Sequence, residues 1–188
     1  MFKKIPLFIP ELHVDALDKH LYYSAAYGPD FNIYGIENYH KEYIAALVVD
    51  KIKFHIPFDD VGVVKINGDG VRPHIDHRGT GLNYYIRTPP ATTLFWEPET
   101  PTLEGIPVGI DLPDGGQKSS EAVDYSTMPL RQIGSFQTKS HEAWLLDVSR
   151  IHSVEKNYQN IDRVYIRWNW SNHSYDEILA SIEILPPI

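Results

Sequence analysis

The stretch VGVVKINGDGVRPHIDHRGTGLNYYIRT, residues 61–88, decides the fold of this chain. Two runs rich in β-branched and aromatic residues, Val61–Ile66 and Gly81–Thr88, stand on either side of a segment with several turn residues. This arrangement is typical of neighbouring strands in an antiparallel sheet. Between the two runs lies RPHIDHR, residues 72–78, in which His74 and Asp76 are two positions apart.

Further β-rich runs, bounded by Gly, Pro, Asn or Asp, follow at Thr92–Trp96, Ala143–Val148 and Arg163–Trp170. The sequence therefore predicts a mainly β domain. The intervening segment Glu97–Gly116 is rich in proline and glycine, and it predicts a long irregular excursion that could hold a short hairpin. Together with Gln117–Thr138 it is a candidate lid over a site.

Helices are expected to flank the β-rich part of the chain. Apolar periodicity and end signals predict them at the following segments: Glu11–Tyr23, Ile36–Val48 and Asp176–Ile184. We expect one domain over residues 1–188, in which residues 1–50 form a helical support, residues 51–170 the β core and residues 171–188 a C-terminal tail with a helix.

Composition narrows the chemistry that the chain can perform. It has 188 residues, 43% of them hydrophobic, a formal net charge of −8, nine histidines and no cysteine. Thiolate metal sites, disulfides and cysteine nucleophiles are therefore excluded, and any metal must be held by His, Asp or Glu. The acidic balance argues against nucleic-acid binding, and no apolar run is long enough to span a membrane. We expect a soluble, cytoplasmic protein.

The pair His74 and Asp76 is the first candidate metal motif. In an extended chain, residues two apart point to the same face, so an imidazole and a carboxylate converge there. The alternative for this pair is a solvated loop between two strands. A second signal is His152, which follows the apolar run Ala143–Val148, and a third is Arg163, eleven residues further along.

Two histidines and one carboxylate form the facial triad of non-haem Fe(II) oxygenases, which leaves positions open for other ligands. A bidentate 2-oxo acid and dioxygen can take these positions. The far carboxylate of such a co-substrate needs a cation, and the planar guanidinium of an arginine matches a carboxylate with two hydrogen bonds.

The order His74-x-Asp76, His152 and Arg163 resembles the Fe(II)- and 2-oxoglutarate-dependent dioxygenases, in particular their prolyl-hydroxylase-like members. The resemblance covers about Val61 to Trp170. It implies a double-stranded β-helix core (a jelly roll, cupin-like) with helices outside it. It also implies an iron site made by the two histidines and Asp76, and hydroxylation of a C–H bond with 2-oxoglutarate and O2 as co-substrates and succinate and CO2 as co-products.

The arginine position departs from the pattern of many relatives, which carry Ser or Thr two residues after it. This chain has Tyr165 there, and its hydroxyl could donate a hydrogen bond instead. Arg167 lies on the same strand face as Arg163 and is the alternative anchor for 2-oxoglutarate. We favour Arg163.

Three further residues are candidates for binding. On the strand at residues 82–87, Asn83 and Tyr85 share one face, and the resemblance makes both candidates for contacting the co-substrate. The alternative for Tyr85, as for Tyr84, is a half-buried sheet residue with a solvated hydroxyl. Arg78 is a candidate for substrate binding, and its alternative is a loop arginine paired with a neighbouring acid.

Two functions from different classes remain open. The first is the oxygenase, with a small molecule, an amino acid or a peptide as its substrate and with neither a nucleic-acid nor a membrane partner. The second is a cupin-like protein that binds a metal or small ligand without catalysis. A cupin metal site usually has a His-x-His pair and a Glu, and the His-x-Asp spacing here argues against it. The sequence leaves the oligomeric state open.

Overall fold

The computed structural model describes residues 1–9, 21–27, 31–36, 42, 44, 46, 48, 50–66, 70–76, 79–101, 104–112, 114–156 and 161–186. In this part of the chain, the strands are β1 (Phe2–Ile5), β2 (Leu21–Tyr27), β3 (Phe31–Ile36), β4 (Ile52–Phe54), β5 (Asp60–Ile66), β6 (Val71–Ile75), β7 (Thr80–Arg87), β8 (Thr92–Pro98), β9 (Ile106–Asp111), β10 (Gln117–Asp124), β11 (Leu130–Gln137), β12 (Glu142–Leu146), β13 (His152–Val154), β14 (Arg163–Trp170) and β15 (Ile182–Ile184). Helix α1 (Tyr175–Ser181) lies between β14 and β15, and the described residues 42, 44, 46 and 48 are also helical.

Eight of these strands form two antiparallel arrays of four. The first array has the order β12-β7-β14-β5, and the second has the order β6-β13-β8-β11. The chain passes between the arrays at every step from β5 to β8 and again from β11 to β14. This winding is the double-stranded β-helix, or jelly roll, and it confirms the predicted mainly β fold class.

Five of the remaining strands extend the two arrays. β1 adds to β12, β3 and β2 continue the first array beyond β5, and the hairpin of β9 and β10 continues the second array beyond β6. β2 pairs with β9, so among the described residues thirteen strands form one continuous sheet. β4 and β15 form a separate two-stranded sheet.

Alternation along the central strands divides the interior into an apolar core and a polar pocket. On β14, Val164, Ile166, Trp168 and Trp170 point to the core, where they pack with the helical residues Ile44, Val48 and Ile178. Arg163, Tyr165 and Arg167 point to the opposite side and line the pocket. Because side chains alternate with period two, one strand supplies both surfaces.

Helix α1 begins at a capping box. The Ser174 hydroxyl accepts a hydrogen bond from the Glu177 N–H, and the Glu177 carboxylate accepts one from the Ser174 N–H. Ile178 is fully buried against the core. The helix ends at Ser181, so the predicted segment Asp176–Ile184 is wrong in its last three residues. These residues form β15, because their backbone pairs with β4.

The predictions for the first fifty residues need correction. Of the helix predicted at Glu11–Tyr23, residues 21–23 belong to strand β2, and residues 11–20 lie outside the described residues. Of the helix predicted at Ile36–Val48, Ile36 ends strand β3, and the described residues 42, 44, 46 and 48 are helical. Pairing of β2 with β3, a tertiary interaction, outweighs the helical periodicity.

The excursion predicted at Glu97–Gly116 is more regular than expected. It contains all of β9, and β9 with β10 forms a hairpin whose second strand pairs with β6. The candidate lid segment Gln117–Thr138 consists largely of β10 and β11. Within the described residues, no helix is both long enough and apolar enough to cross a membrane.

Truncating the core face of β14 should destabilise the protein strongly. Ile166 is fully buried, whereas Ile106 on β9 is 58% exposed. We expect Ile166→Ala to lower the free energy of unfolding by about 2–5 kcal/mol, because it leaves a cavity in a packed core. The matched control Ile106→Ala should lower it by less than about 1 kcal/mol. Urea denaturation measures both, and equal losses would contradict the described core.

Candidate metal centre

Two histidines face each other across neighbouring strands. His74 on β6 pairs directly in register with His152 on β13, and their ring centroids are 4.4 Å apart. Directly opposed residues on antiparallel strands have side chains on the same face. The sheet therefore brings together two imidazoles that are 78 positions apart in the sequence.

Backbone carbonyls orient both rings in the same way. Nδ1 of His74 lies 2.7 Å from the carbonyl oxygen of Arg72, and Nδ1 of His152 lies 2.9 Å from that of Arg150. A carbonyl oxygen only accepts, so each Nδ1 carries the proton and donates it. In the neutral form of each ring, Nε2 is therefore the atom that can bind a metal, which is the arrangement that metal-binding histidines commonly show.

Asp76 completes the cluster immediately after β6 ends. Its backbone N–H donates to the carbonyl oxygen of Val148 at 3.0 Å, which fixes its position beside the strands. Its Oδ1 lies 3.4 Å from Nε2 of His74. One ligand atom from each of His74, Asp76 and His152 lies within 4.8 Å of the other two. This donor set of two imidazoles and one carboxylate suits a divalent transition metal such as Fe(II).

Arg167 holds the second oxygen of the carboxylate. Its Nη1 donates to Oδ2 of Asp76 at 2.7 Å, and its Nε donates to Oδ1 of Asn83 at 2.9 Å. The side chains of Arg167 and Asp76 are only 13% and 12% exposed, so this ion pair is largely shielded from water. One oxygen of Asp76 thus lies beside His74, and the other is bonded to a guanidinium.

The three cluster residues have shifted pKa values. Burial alone would raise the pKa of Asp76, but the charge of Arg167 and the hydrogen bond with His74 hold it well below its usual value. Burial alone would lower the pKa of His74, but its interactions with Asp76 raise it. Burial, followed by the charge of His74, lowers the pKa of His152 to about 4. At neutral pH the cluster therefore has an ionised carboxylate and a neutral His152.

Arg163 lies in the same pocket without an acidic partner among the described residues. It is 2% exposed, and its Nη1 and Nη2 donate to the hydroxyl oxygens of Thr93 and Thr138 at 3.1 and 2.7 Å. Its guanidinium lies 4.5 Å from the ring centroid of Tyr85, and its Nε has no hydrogen-bond partner in the described part of the chain. A buried cation with only neutral contacts is costly, and a bound anion would compensate its charge.

One pocket contains both the metal cluster and Arg163, with an empty volume of about 390 Å³ including its opening. Arg163 and Arg167 are four residues apart on β14, so their Cα atoms are separated by about 13 Å. The pocket therefore has a metal end near Arg167 and a cationic end near Arg163. Its apolar lining comes from the following residues: Ile66, Val71, Leu146 and Val154.

The other candidate binding residues lie as follows. Asn83, Tyr85 and Tyr165 line the pocket, and Asn83 also donates to the Tyr85 hydroxyl at 3.2 Å. Burial raises the pKa of Tyr165 to about 12, so its hydroxyl keeps its proton and can donate. Arg167, the alternative anchor, is instead bonded to Asp76. Arg78 lies outside the described residues.

Sequence reasoning missed the groups that support these residues. Two hydroxyl groups accept hydrogen bonds from the guanidinium of Arg163, those of Thr93 on β8 and Thr138 after β11. Strand alternation could have suggested the face of Thr93, but no spacing signal indicates Thr138. The ion pair of Arg167 with Asp76 joins residues that are 91 positions apart in the sequence. It could be recognised only from the three-dimensional arrangement of β6 and β14.

No family model matches the chain, and no curated protein matches it. Among solved structures, Bacillus subtilis oxalate decarboxylase, a protein with Mn(II) centres, aligns with 80% of this chain and 29% of its own at 12% identity and a TM-score of 0.38. Vicilin from Corylus avellana aligns with 90% and 34% at 12% identity and a TM-score of 0.40. The chain thus spans about a third of each structure. The jelly-roll assignment depends on the strand order described above.

The pKa shifts predict that metal binding releases a proton from His74. Its raised pKa keeps it largely protonated at about pH 6, and the metal must displace that proton, whereas His152 is already neutral. We expect Mn(II) affinity to rise with pH, with release of about one proton near pH 6 and fewer at higher pH. Calorimetry in buffers of different ionisation enthalpy counts these protons.

The control for this titration is His55→Gln, which removes an exposed histidine paired with Glu183. This variant should release the same number of protons as the unsubstituted protein. Proton release that does not change with pH would contradict the description of His74.

Proposed function

We propose that this protein is an Fe(II)- and 2-oxoglutarate-dependent oxygenase that hydroxylates a C–H bond of a small molecule, an amino acid or a peptide. The observation that carries the proposal is Arg163. A buried guanidinium without an acidic partner among the described residues lies in the same pocket as a cluster of two histidines and one aspartate. A dicarboxylate that binds a metal at one end fits both features.

His74, Asp76 and His152 would hold the iron, because two imidazole nitrogens and one carboxylate oxygen are a donor set that suits it. When bound, the metal supplies the oxidative chemistry that side chains lack. In the overall reaction, 2-oxoglutarate, dioxygen and the substrate C–H give succinate, CO2 and an alcohol. One oxygen atom of dioxygen ends in succinate and the other in the alcohol, so no further reductant is needed.

The pocket residues would bind and orient the co-substrate. Arg163 would donate two parallel hydrogen bonds to the far carboxylate, and the hydroxyls of Thr93 and Thr138 hold its guanidinium in place. Tyr165 would donate a further hydrogen bond. The apolar lining of the pocket would limit the access of water and so strengthen these charged contacts.

The second candidate function is a jelly-roll protein that binds a metal and a small anion without oxidising anything. The jelly-roll fold and the His-Asp-His cluster support this function better than the first, because it requires a metal site and no oxidation. The two candidates use the same pocket and differ only in turnover. Formation of succinate separates them.

The first test is turnover of the co-substrate. Incubation with Fe(II), 2-oxoglutarate and O2 should produce succinate even without the specific substrate, provided that ascorbate is added to reduce the second oxygen atom to water. Asp76→Ala should abolish succinate formation because an iron ligand is lost. Anaerobic addition of Fe(II) and 2-oxoglutarate should give a weak visible absorption band in the unsubstituted protein and no band in Asp76→Ala. Metal binding without succinate, in the presence of O2, would favour the second candidate function.

The second test removes the cationic end of the pocket. Arg163→Gln keeps a polar group at the position of Nε and deletes both Nη groups. We expect KM for 2-oxoglutarate to rise by about 10- to 100-fold, because hydrogen bonds to a charged group contribute about 1.5–3 kcal/mol. Mn(II) affinity should change little.

The control is Arg131→Gln, which removes a 71% exposed arginine that pairs with Glu97 on the neighbouring strand. Its KM should equal that of the unsubstituted protein. An unchanged KM in Arg163→Gln would refute the assignment of Arg163 as the carboxylate anchor.

A further inference from the structure

Arg167 contacts one oxygen of Asp76, and His74 lies close to the other. Its Nη1 donates to Oδ2 at 2.7 Å, whereas Oδ1 lies 3.4 Å from Nε2 of His74. Carboxylates bind metals through one oxygen or through both. The two oxygens of Asp76 therefore have different surroundings: Oδ2 is bonded to Arg167, and Oδ1 lies beside the ligand nitrogen of His74.

The guanidinium is itself held in place from two further sides. Its Nε donates to Oδ1 of Asn83 at 2.9 Å, and the Asn83 amide donates to the Tyr85 hydroxyl at 3.2 Å. Its central carbon lies 5.5 Å from the ring centroid of Tyr165. Strand pairing on both sides of β14 fixes the position of Arg167, which lies opposite Gly62 on β5 and opposite Asn83 on β7. Arg167 thus has little freedom to release Oδ2.

We propose that Arg167 is a positioning residue that keeps Asp76 a one-oxygen ligand of the metal. By holding Oδ2, it prevents the carboxylate from chelating and leaves the remaining metal positions open for other ligands. The inference rests on the metal-binding part of the proposed function and does not depend on oxidation of 2-oxoglutarate. It assigns to Arg167 a role different from that of Arg163 on the same strand.

The substitution Arg167→Gln isolates this contact. The glutamine amide nitrogen takes the position of the arginine Nε, so it can still donate to Asn83, but nothing reaches Oδ2 of Asp76. Arg163→Gln is the matched control, because it makes the same change on the same face of β14 at a residue that does not contact Asp76. Arg167→Lys tests rescue, since its ammonium can donate to Oδ2 in part.

The experiment counts exchangeable water molecules on bound Mn(II), with Mn(II) alone as the probe, by pulsed EPR in ¹⁷O-labelled water. Three protein ligands on an octahedral ion leave about three waters in the unsubstituted protein and in Arg163→Gln. Arg167→Gln should have about two, because both oxygens of Asp76 then bind. Arg167→Lys should return toward about three.

An unchanged or increased water count in Arg167→Gln would overturn the role of Arg167 while leaving the metal centre intact. Absence of Mn(II) binding by the unsubstituted protein would overturn the metal centre itself, and the inference with it. If Arg167→Gln fails to fold, Arg167→Met replaces it in the same experiment, because its side chain also has no group that can donate to Oδ2 of Asp76. Fewer waters than in the unsubstituted protein would then support the role, and an equal or larger count would overturn it.

Discussion

Strand β14 buries two guanidinium groups away from water, and the arrangement of the site depends on how their charges are compensated. Arg163 and Arg167 both point into the pocket, where a charge must be compensated. Arg167 is neutralised by Asp76, and this pairing directs one carboxylate oxygen toward the histidines. Arg163 has only hydroxyl and aromatic contacts among the described residues. The same strand therefore orders the metal cluster at one end and leaves a cationic site at the other.

The opposite face of β14 explains why this arrangement is fixed. Val164, Ile166 and Trp168 are buried in the apolar core, and they alternate with the pocket residues. A slip of one residue in the register would turn the arginines into the apolar core and expose apolar side chains to the pocket. β14 pairs with β5 on one side and with β7 on the other, so backbone hydrogen bonds along both edges fix its register. The packing and pairing that stabilise the fold therefore also fix the positions of the two arginines in the site.

The sequence predicted the features that depend on short-range alternation. The His-x-Asp pair, the position of His152 after an apolar strand and the two faces of residues 82–87 all follow from period two, and the structure brings these residues into one pocket. Features that depend on distant pairing were not predictable. β2 and β3 pair with each other where a helix reaching Tyr23 was expected, and Thr138 contacts Arg163 from a connection with no spacing signal.

The hairpin of β9 and β10, whose first strand lies in the proline- and glycine-rich segment, supports the strand that carries His74. β10 pairs with β6 so that Asp124 lies opposite His74, and the Tyr125 N–H donates to the Pro73 carbonyl oxygen at 2.8 Å. β13 pairs with β6 on its other side. The strand that carries a metal-ligand candidate is therefore an interior strand with backbone hydrogen bonds along both edges. An exposed edge strand would fray more readily, and this pairing restrains His74 before any ligand binds.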